Sequence, residues 1–464
     1  MNYPLISEYV EAIKSAEDNF KELSYLRPVL DDDGLPVMTS GNFAVVFKMI
    51  DKRNRKNYAV KCFTKEQKGR TEAYYEITRE LEKCSSPYLT PVRYIEKELF
   101  VDTDQTIETE FPVLLMKWVE GKPLDKYVRE NINNIFLLKM LVFRFGQLSK
   151  WLVQQPFAHG DVKPDNIIVL QNGALVLIDY DGMYVPAMKG QKSRELGSFD
   201  FCHPKRTEDV FNESIDDFSL ISILLSLKLI STDPVLLDKF GATDRLLFSK
   251  EDYQNISRCK LLKQIYPSLD SEVNKMVNGL VDLLTNTNIR LSSSYYDANN
   301  EMEELSTIVQ DEEYDDSFVD KDVVYSNNIK KILGCSDVTN YNYIIKEGCE
   351  IICDNAFCGM CQMLESITIP SGVKAIGRFA FSGCYLQSVV IPHTVRIIGD
   401  EAFSRNPFLC SICIPSSVEY IGKSIFKGCN DYFVIYVEKG ATEKFKKILP
   451  EYKDKIEEGM LVVK

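Results

Sequence analysis

Residues 159–182 read HGDVKPDNIIVLQNGALVLIDYDG, and this stretch decides the fold of the first part of the chain. Two apolar runs flank the turn sequence QNG, which favours a tight hairpin between two strands. Asp161 and Asn166 precede the first strand, and Asp179 follows the second, 13 residues after Asn166. The hairpin therefore predicts that these three polar side chains surround one point.

Together, these side chains supply what phosphoryl transfer requires. A carboxylate such as Asp161 orients an acceptor hydroxyl, while an amide and a second carboxylate, Asn166 and Asp179, hold Mg²⁺ against the phosphates. Lys163, two residues after Asp161, can neutralise charge on the phosphoryl group as it moves. We expect a helix over residues 136–155 to lead into this loop.

Segments suited to nucleotide binding lie upstream. Residues 40–48, SGNFAVVFK, predict a strand and turn around Gly41 followed by a second strand. NYAVKCF then places Lys61 on an apolar strand, where a lysine that precedes such a loop contacts nucleotide phosphates. Residues 111–124, FPVLLMKWVEGKPL, predict a buried strand and a backbone hinge for an adenine.

This order of motifs resembles the eukaryotic-like protein kinase domain, over about residues 30–295. The resemblance implies an α+β bilobal protein-kinase fold, ATP and Mg²⁺ as cofactors, and protein Ser/Thr hydroxyls as acceptors. It implies a structural acid at Asp216, in IDDFSLISI, and a C-lobe arginine at Arg290. The roles it implies are catalysis for Asp161 and Lys163, metal binding for Asn166 and Asp179, and nucleotide binding for Gly41, Lys61, Glu76, Met116 (gatekeeper), Lys117 and Val119 (hinge).

The acid that pairs with Lys61 has three candidates in the N-lobe helix, Glu72, Glu76 and Glu80. They are spaced four residues apart and so share one helical face. We select Glu76 because its distance from the following Ser-Pro step is closest to that of the family.

The chain departs from the kinase pattern in its nucleotide loop and before its proposed base. Gly41 is kept, whereas Thr39 and Ala44 stand at the other glycine positions of the loop. Ala44 restricts the backbone there and is expected to weaken nucleotide binding. Gly160 replaces the arginine that usually precedes the base, which suggests activity without activation-loop phosphorylation.

Further departures follow Asp179. Asp181 stands where the D-F-G motif has glycine, so either aspartate could touch metal, and spacing favours Asp179. Lys205 stands where the family has the glutamate that pairs with Arg290, so this region must be held differently. We interpret His203, which precedes a proline, as a positioning or packing residue rather than a catalytic one.

The C-terminal part of the chain is repetitive. Three segments share the pattern L-x-S-(I/V)-x-I-P-x-x-V-x-x-I-G-x-x-(A/I)-F, with Pro370, Pro392 and Pro415 spaced 22 and 23 residues apart. A partial copy precedes them, and a helix is predicted over 441–456. Units of this size stack to bury their apolar faces. The pattern resembles the BspA-type leucine-rich repeats and predicts a short capped solenoid of four periods that binds protein.

The cysteine pairs in the repeats raise a metal-binding alternative. Cys358-x-x-Cys361 and Cys410-x-x-Cys413 have the internal spacing of zinc ligands. Cys361, Cys384 and Cys429, however, fall at or near one repeat position, which indicates that these side chains pack inside the solenoid. We favour packing over zinc.

Composition and charge limit the other possibilities. The 464 residues contain 13 Cys and carry a formal net charge of −13, which argues against a nucleic-acid or anionic-membrane binder. No apolar run spans a membrane and the N-terminus lacks the features of a signal peptide, so we expect a cytoplasmic protein with reduced thiols. The acidic stretch 301–322 reads as a linker. The predicted divisions are 1–29 (N-terminal helix), 30–300 (kinase-like), 301–323 (linker) and 324–464 (repeats with a helical cap).

Three functions are compatible with these features. We favour an active Ser/Thr protein kinase whose repeats recruit a protein substrate or partner. A pseudokinase scaffold is the first alternative, favoured by the altered glycine loop. A small-molecule kinase is the second, since His-Gly-Asp followed by Asn also occurs in such enzymes, although Lys163-Pro164 and the helix at Asp216 favour a protein acceptor.

Overall fold

The computed structural model describes residues 2–459 except 42, 172, 244, 267–269, 286–289, 298–304, 306, 308–313, 315–316, 337–340 and 360–362. The chain divides into two compact units, Met1–Ala298 and Asn299–Lys464. Much of the predicted linker, and Cys361 of the first cysteine pair, lie outside the described residues. Within the described part, no helix is long and apolar enough to cross a membrane, and no cluster of three or more His, Cys, Asp or Glu side chains could hold a metal ion.

The first unit contains an antiparallel sheet in the order β1-β3-β4-β6-β5, with β2 paired to β3. Helix α3 (Arg70–Leu81) contributes Ala73, Tyr74 and Ile77 to the core beside this sheet. The strand bounds are β1 Leu26–Pro28, β2 Met38–Ser40, β3 Ala44–Asp51, β4 Asn57–Phe63, β5 Val92–Phe100 and β6 Glu110–Lys117.

The N-terminal segment packs against this sheet, but it is not one continuous helix. It forms α1 (Ile6–Lys14) and α2 (Ala16–Asn19), and the Tyr9 hydroxyl donates to the Phe63 carbonyl at 2.7 Å. The helix ends early because the buried Glu98 carboxylate accepts the backbone amides of residues 22 and 23, at 2.7–3.2 Å. These amides are therefore bonded to β5 instead of to a preceding helical turn.

The rest of the first unit is helical around a small sheet, β7-β8-β9. Helix α5 is capped by Asn134, whose side chain accepts the Leu137 amide at 3.1 Å. Helix α6 is buried along nearly its whole length and runs through the core, as expected for a helix without a continuous polar face. The bounds are β7 Gly121–Pro123, α4 Leu124–Glu130, α5 Ile135–Val153, β8 Ile167–Leu170, β9 Leu175–Leu177, α6 Asp217–Thr232, α7 Val235–Phe240, α8 Lys250–Gln254, α9 Lys260–Ile265 and α10 Ser271–Thr285.

The second unit contains two sheets of short, largely parallel strands, in the orders β10-β11-β12-β14-β16-β18-β20 and β13-β15-β17-β19-β21-β22. The strand bounds are β10 Phe318–Asp320, β11 Val323–Tyr325, β12 Lys331–Cys335, β13 Asn342–Ile344, β14 Ile351–Ile352, β15 Ser366–Thr368, β16 Ala375–Ile376, β17 Ser388–Val390, β18 Ile397–Ile398, β19 Ser411–Ile414, β20 Tyr420–Ile421, β21 Val434–Val437 and β22 Ile456–Glu458. The predicted C-terminal helix is shorter than expected. It comprises α11 (Thr442–Ile448) and a 3₁₀ segment, and Ile456 begins β22.

Successive coils place equivalent side chains in register. Ile352, Ile376, Ile398 and Ile421 are neighbours across four parallel strands. Inside the coils, the phenylalanine rings of residues 357, 381 and 403 stack with centroid distances of 5.1 and 5.3 Å. The buried Cys384 thiol lies 3.5 Å from the Phe357 carbonyl oxygen, as expected for a packing residue. Stacking of this kind lets each short unit bury a face that it cannot bury alone.

Candidate active site

The predicted catalytic loop brings its polar side chains together. The Asp161 carboxylate lies 2.8 Å from the Lys163 ammonium and 3.1 Å from the Asn166 side-chain amide, both at Oδ2. Asn166 ends a 3₁₀ turn beginning at Pro164, and its carbonyl accepts the Ile178 amide at 2.9 Å. The last bond joins the loop to the residue before Asp179. Burial would lower the pKa of Lys163, but the Asp161 carboxylate outweighs this effect and raises it.

Asp216 supports this loop from the start of α6. Its carboxylate accepts the His159 amide at 2.5 Å and the Gly160 amide at 2.8 Å. Burial raises the pKa of Asp216, and the two backbone hydrogen bonds oppose that increase. The backbone of the loop is therefore attached to the buried helix, as expected for the predicted structural acid.

Gly160 lies in close contact with the segment that follows Asp179. Its φ is +84°, and a Cβ atom at this position would lie 1.9 Å from the Gly182 carbonyl oxygen. An arginine from later in the chain, Arg206, donates to the Gly160 carbonyl at 2.9 Å. The residue that replaces the usual arginine therefore has a steric reason to be glycine.

Lys61 lies on β4, between β3 and β6, and its ammonium contacts two carboxylates. The distances are 2.6 Å to Asp179 Oδ1 and 2.7 Å to Asp181 Oδ2. Burial would lower the pKa of Lys61, but the two carboxylates outweigh it and raise the pKa. For Asp179, burial would raise the pKa of the carboxyl group, but the Lys61 ammonium outweighs burial, and the pKa is lowered. Asp179 has a φ of +68°, a conformation uncommon outside glycine that recurs at functional sites.

The predicted pairing of Lys61 with Glu76 is not present in the structure. Glu76 instead lies 3.4 Å from Arg79, and its side chain is 36% exposed. Tyr74 is the α3 residue that faces the site, and its hydroxyl donates to the Asp181 carboxylate. Successive helical residues are rotated by about 100°, so residue 76 points roughly away from the direction of residue 74.

The predicted hinge follows β6 beside β4. Met116 is buried opposite Ala59, Lys117 is exposed opposite Tyr58, and Val119 is half-buried. Gly41 is exposed at the β2–β3 turn, where its amide donates to the Ala44 carbonyl at 2.9 Å. A Cβ at Gly41 would meet that same carbonyl oxygen at an ordinary 3.9 Å, so local packing does not require glycine there.

The segment after the D-Y-D-G stretch adds contacts that sequence reasoning missed. The Ser198 amide donates to Asp161 Oδ1 at 3.1 Å, and Gln67 donates to Glu195 at 3.0 Å. Burial and then the nearby Asp181 and Asp179 raise the pKa of Glu195. No local motif marks Ser198 or Glu195, because their positions depend on the path of the intervening chain.

His203 connects this segment to the C-terminal helices. Its Nδ1 accepts the Lys205 amide at 3.1 Å, so its Nε2 is the nitrogen that donates to the Leu283 carbonyl, also at 3.1 Å. Burial lowers the pKa of His203, which favours this neutral form. Arg290 donates to the Val153 carbonyl. These bonds hold the region in which Lys205 replaces an acidic residue.

Comparison with known proteins agrees with this geometry. The "Protein kinase domain" family matches residues 35–297, and the "BspA type Leucine rich repeat region" matches residues 325–447 in six copies. The predicted four periods were therefore too few. A curated relative, an Aurora kinase from Eremothecium gossypii, is 24% identical over 177 residues. The match covers 36% of this chain and 43% of that relative, so the chain spans less than half of the relative's length.

The two family matches account for both compact units. The first covers the unit that contains Lys61, Asp161 and Asp179, and the second covers the stacked coils. The expected kinase fold followed by leucine-rich repeats is confirmed. The chain thus belongs to the protein kinase family and carries a BspA-type leucine-rich repeat region after its kinase domain.

Proposed function

We propose that this protein is an ATP- and Mg²⁺-dependent kinase that phosphorylates serine and threonine hydroxyls of proteins. The observation that carries the proposal is the hydrogen-bonded group of Asp161, Lys163 and Asn166, joined through the backbone to the residue before Asp179. The Lys61 ammonium contacts Asp179 and so supplies a positive charge beside the same group. Carboxylate, amide and ammonium groups in this order suit transfer of a γ-phosphoryl group.

Asp161 accepts the proton of the acceptor hydroxyl. As the hydroxyl oxygen bonds to the γ-phosphorus, the bond from that phosphorus to the bridging oxygen breaks and ADP leaves. Lys163 offsets negative charge on the transferring group, and Lys61 contacts the α- and β-phosphates. The Ser198 amide and the Asn166 side chain hold the Asp161 carboxylate in place before the acceptor arrives.

Asn166 and Asp179 are the proposed metal ligands. Two protein oxygens suit Mg²⁺, which usually keeps several waters and binds the substrate phosphates as well. Bound Mg²⁺ would neutralise charge on the phosphates. Asn166 donates its side-chain NH₂ to Asp161, which leaves its side-chain oxygen as the available metal ligand.

The test is phosphate transfer from radiolabelled ATP with Mg²⁺, in the wild type, Lys61→Met and Asp161→Asn. We expect labelled protein containing phosphoserine or phosphothreonine, lost in both variants, with ATP binding nearly intact in Asp161→Asn. Full activity of Asp161→Asn would refute the role given to this carboxylate. ATP binding without protein labelling would favour a small-molecule acceptor, and absence of ATP binding would favour the scaffold alternative.

We further propose that the repeats recruit a protein substrate or partner. Exposed aromatic side chains recur before strands of successive coils, at Tyr385 (37% exposed), Phe408 (53%) and Tyr432 (92%). Aromatic side chains are enriched where proteins bind one another. Removal of residues 324–464 should spare self-labelling but reduce labelling of particular proteins in a host extract. Unchanged labelling of those proteins would contradict recruitment, and loss of ATP affinity would show that the repeats stabilise the kinase unit.

A further inference from the structure

Asp181 is placed to hold Lys61, and nothing in its sequence motif assigns it that role. The side chain is only 8% exposed, and its two carboxylate oxygens have different partners. Oδ2 accepts the Lys61 ammonium at 2.7 Å, and Oδ1 accepts the Tyr74 hydroxyl from α3. Arg194 donates to the Asp181 carbonyl at 3.1 Å, so the backbone is held as well.

Helix α3 contributes no carboxylate to Lys61 in the structure, although the helix is described throughout. Glu76 pairs with Arg79, Glu80 lies 2.9 Å from Lys83, and Glu72 is exposed. Tyr74 on α3 contacts the Asp181 carboxylate, and its ring stacks on Tyr94 with centroids 5.6 Å apart. The buried side of α3 carries Ala73, Tyr74, Ile77 and Leu81 and none of the three acids.

Lys61 also contacts Asp179, but that carboxylate is a proposed metal ligand. A carboxylate that binds a divalent cation gives up part of its attraction for an ammonium, because both cations compete for the same oxygens. Asp181 is not one of the proposed metal ligands. Its contact with Lys61 can persist after the nucleotide and its metal have bound.

We propose that Asp181, held by Tyr74, is the residue that positions Lys61 for the nucleotide phosphates, in place of an acid from α3. The inference rests on the proposed function. It makes Asp181 a positioning residue that acts through Lys61, and it makes the Tyr74 hydroxyl the link between α3 and the site. A glutamate on α3 is then unnecessary for nucleotide binding.

The test compares Asp181→Asn, Tyr74→Phe and Glu76→Gln, with Glu72→Gln as the control on the same helix. Steady-state kinetics give KM for ATP and kcat as separate values. ATP affinity is measured by tryptophan fluorescence, because Trp118 follows the hinge residue Lys117. Loss of a charge-assisted hydrogen bond of about 1.5–3 kcal/mol corresponds to about a 10- to 150-fold change. We expect Asp181→Asn to raise KM by that factor with a smaller effect on kcat, and Tyr74→Phe to raise it about 3- to 10-fold.

Glu76→Gln should change KM far less than Asp181→Asn, and Glu72→Gln should match the wild type. If Glu76→Gln has the larger effect, or if Asp181→Asn stays within about twofold of the wild type, the inference is overturned. Tyr74→Phe removes only a hydroxyl and keeps the ring, so it tests the same link should Asp181→Asn fold poorly. A wild type that binds ATP without transferring phosphate refutes the proposed function, while the variants' ATP affinities still decide the role of Asp181.

Discussion

Substitution of Gly160 by alanine tests how closely the catalytic loop and the D-Y-D-G segment depend on each other. The added methyl group would lie 1.9 Å from the Gly182 carbonyl oxygen, and backbone must move to relieve that contact. A left-handed alanine costs about 1–2 kcal/mol, and overpacking adds about 1–3 kcal/mol. We therefore expect a loss of about 2–5 kcal/mol in the free energy of unfolding.

Gly160→Ala should also lower kcat. Asp161 follows Gly160 directly, and Asp181 precedes Gly182, so relief of the contact displaces a proposed base or the carboxylate beside Lys61. Displacement of a catalytic group by about 1 Å can reduce the rate about 100-fold. The unfolding assay uses tryptophan fluorescence, because both tryptophans, Trp118 and Trp151, belong to the kinase unit.

Gly190→Ala is the matched control. Gly190 has the same φ of +84°, but a Cβ there would have no neighbour within 4 Å. This variant should lose only the backbone term, about 1–2 kcal/mol, and keep its kcat. Equal stability and equal kcat in the two variants would refute the reasoning, because the contact with Gly182 would then cost nothing.

Three further predictions concern other parts of the chain. Asp179→Asn should abolish the Mg²⁺-dependent part of ATP binding, whereas Asp181→Asn should weaken ATP binding by a similar factor with and without Mg²⁺. ATP titrations in both conditions check this, and the reverse pattern would assign the metal ligand to Asp181. Burial raises the pKa of Asp217 to about 7 from an ordinary 3.8, so the folded chain retains a proton that the unfolded chain loses, and stability falls as pH rises from about 4 to 7. Asp217→Asn should remove up to about 4 kcal/mol of this pH dependence in fluorescence-monitored unfolding, and an unchanged slope would contradict the assignment. Phe381→Ala should destabilise the repeats by about 3–5 kcal/mol, seen by circular dichroism without a shift in the tryptophan transition, whereas a shift there would show that the two units unfold together.

The kinase fold was predictable because its chemical residues are close in sequence. Asp161, Lys163 and Asn166 lie within six residues, and their local turn brings them together almost regardless of the rest of the chain. The partner of Lys61 could not be predicted in the same way. Glu72, Glu76 and Glu80 share a face of α3, but the contact that Lys61 makes is with Asp181, 120 residues away in the sequence.

In the repeats, too, the coils with a clear local motif were the easiest to predict. The copies with an Ile-Pro step were readily aligned, and their predicted stacking agrees with the in-register strands. The coil that begins at β13 contains the partial copy starting at Ile351, and Lys346-Glu347-Gly348 stands near the place of its proline step. Its strand nevertheless pairs in parallel with β15, where the buried Tyr343 is the neighbour of the buried Ile367.

The register of the coils restricts how the repeat region can change length in evolution. Ile376, Ile398 and Ile421 remain neighbours because each coil returns the chain to the same place one strand further along. Duplication or loss of a whole coil would conserve the contacts inside the remaining coils. It would change the length of the repeat region by about 4.8 Å, the spacing of adjacent strands. A deletion of one or two codons within a coil would instead misalign its side chains with both neighbours. Gene variants that differ by whole coils should therefore encode folded repeat regions of different length. Small frame-preserving deletions within a coil should be lost by selection.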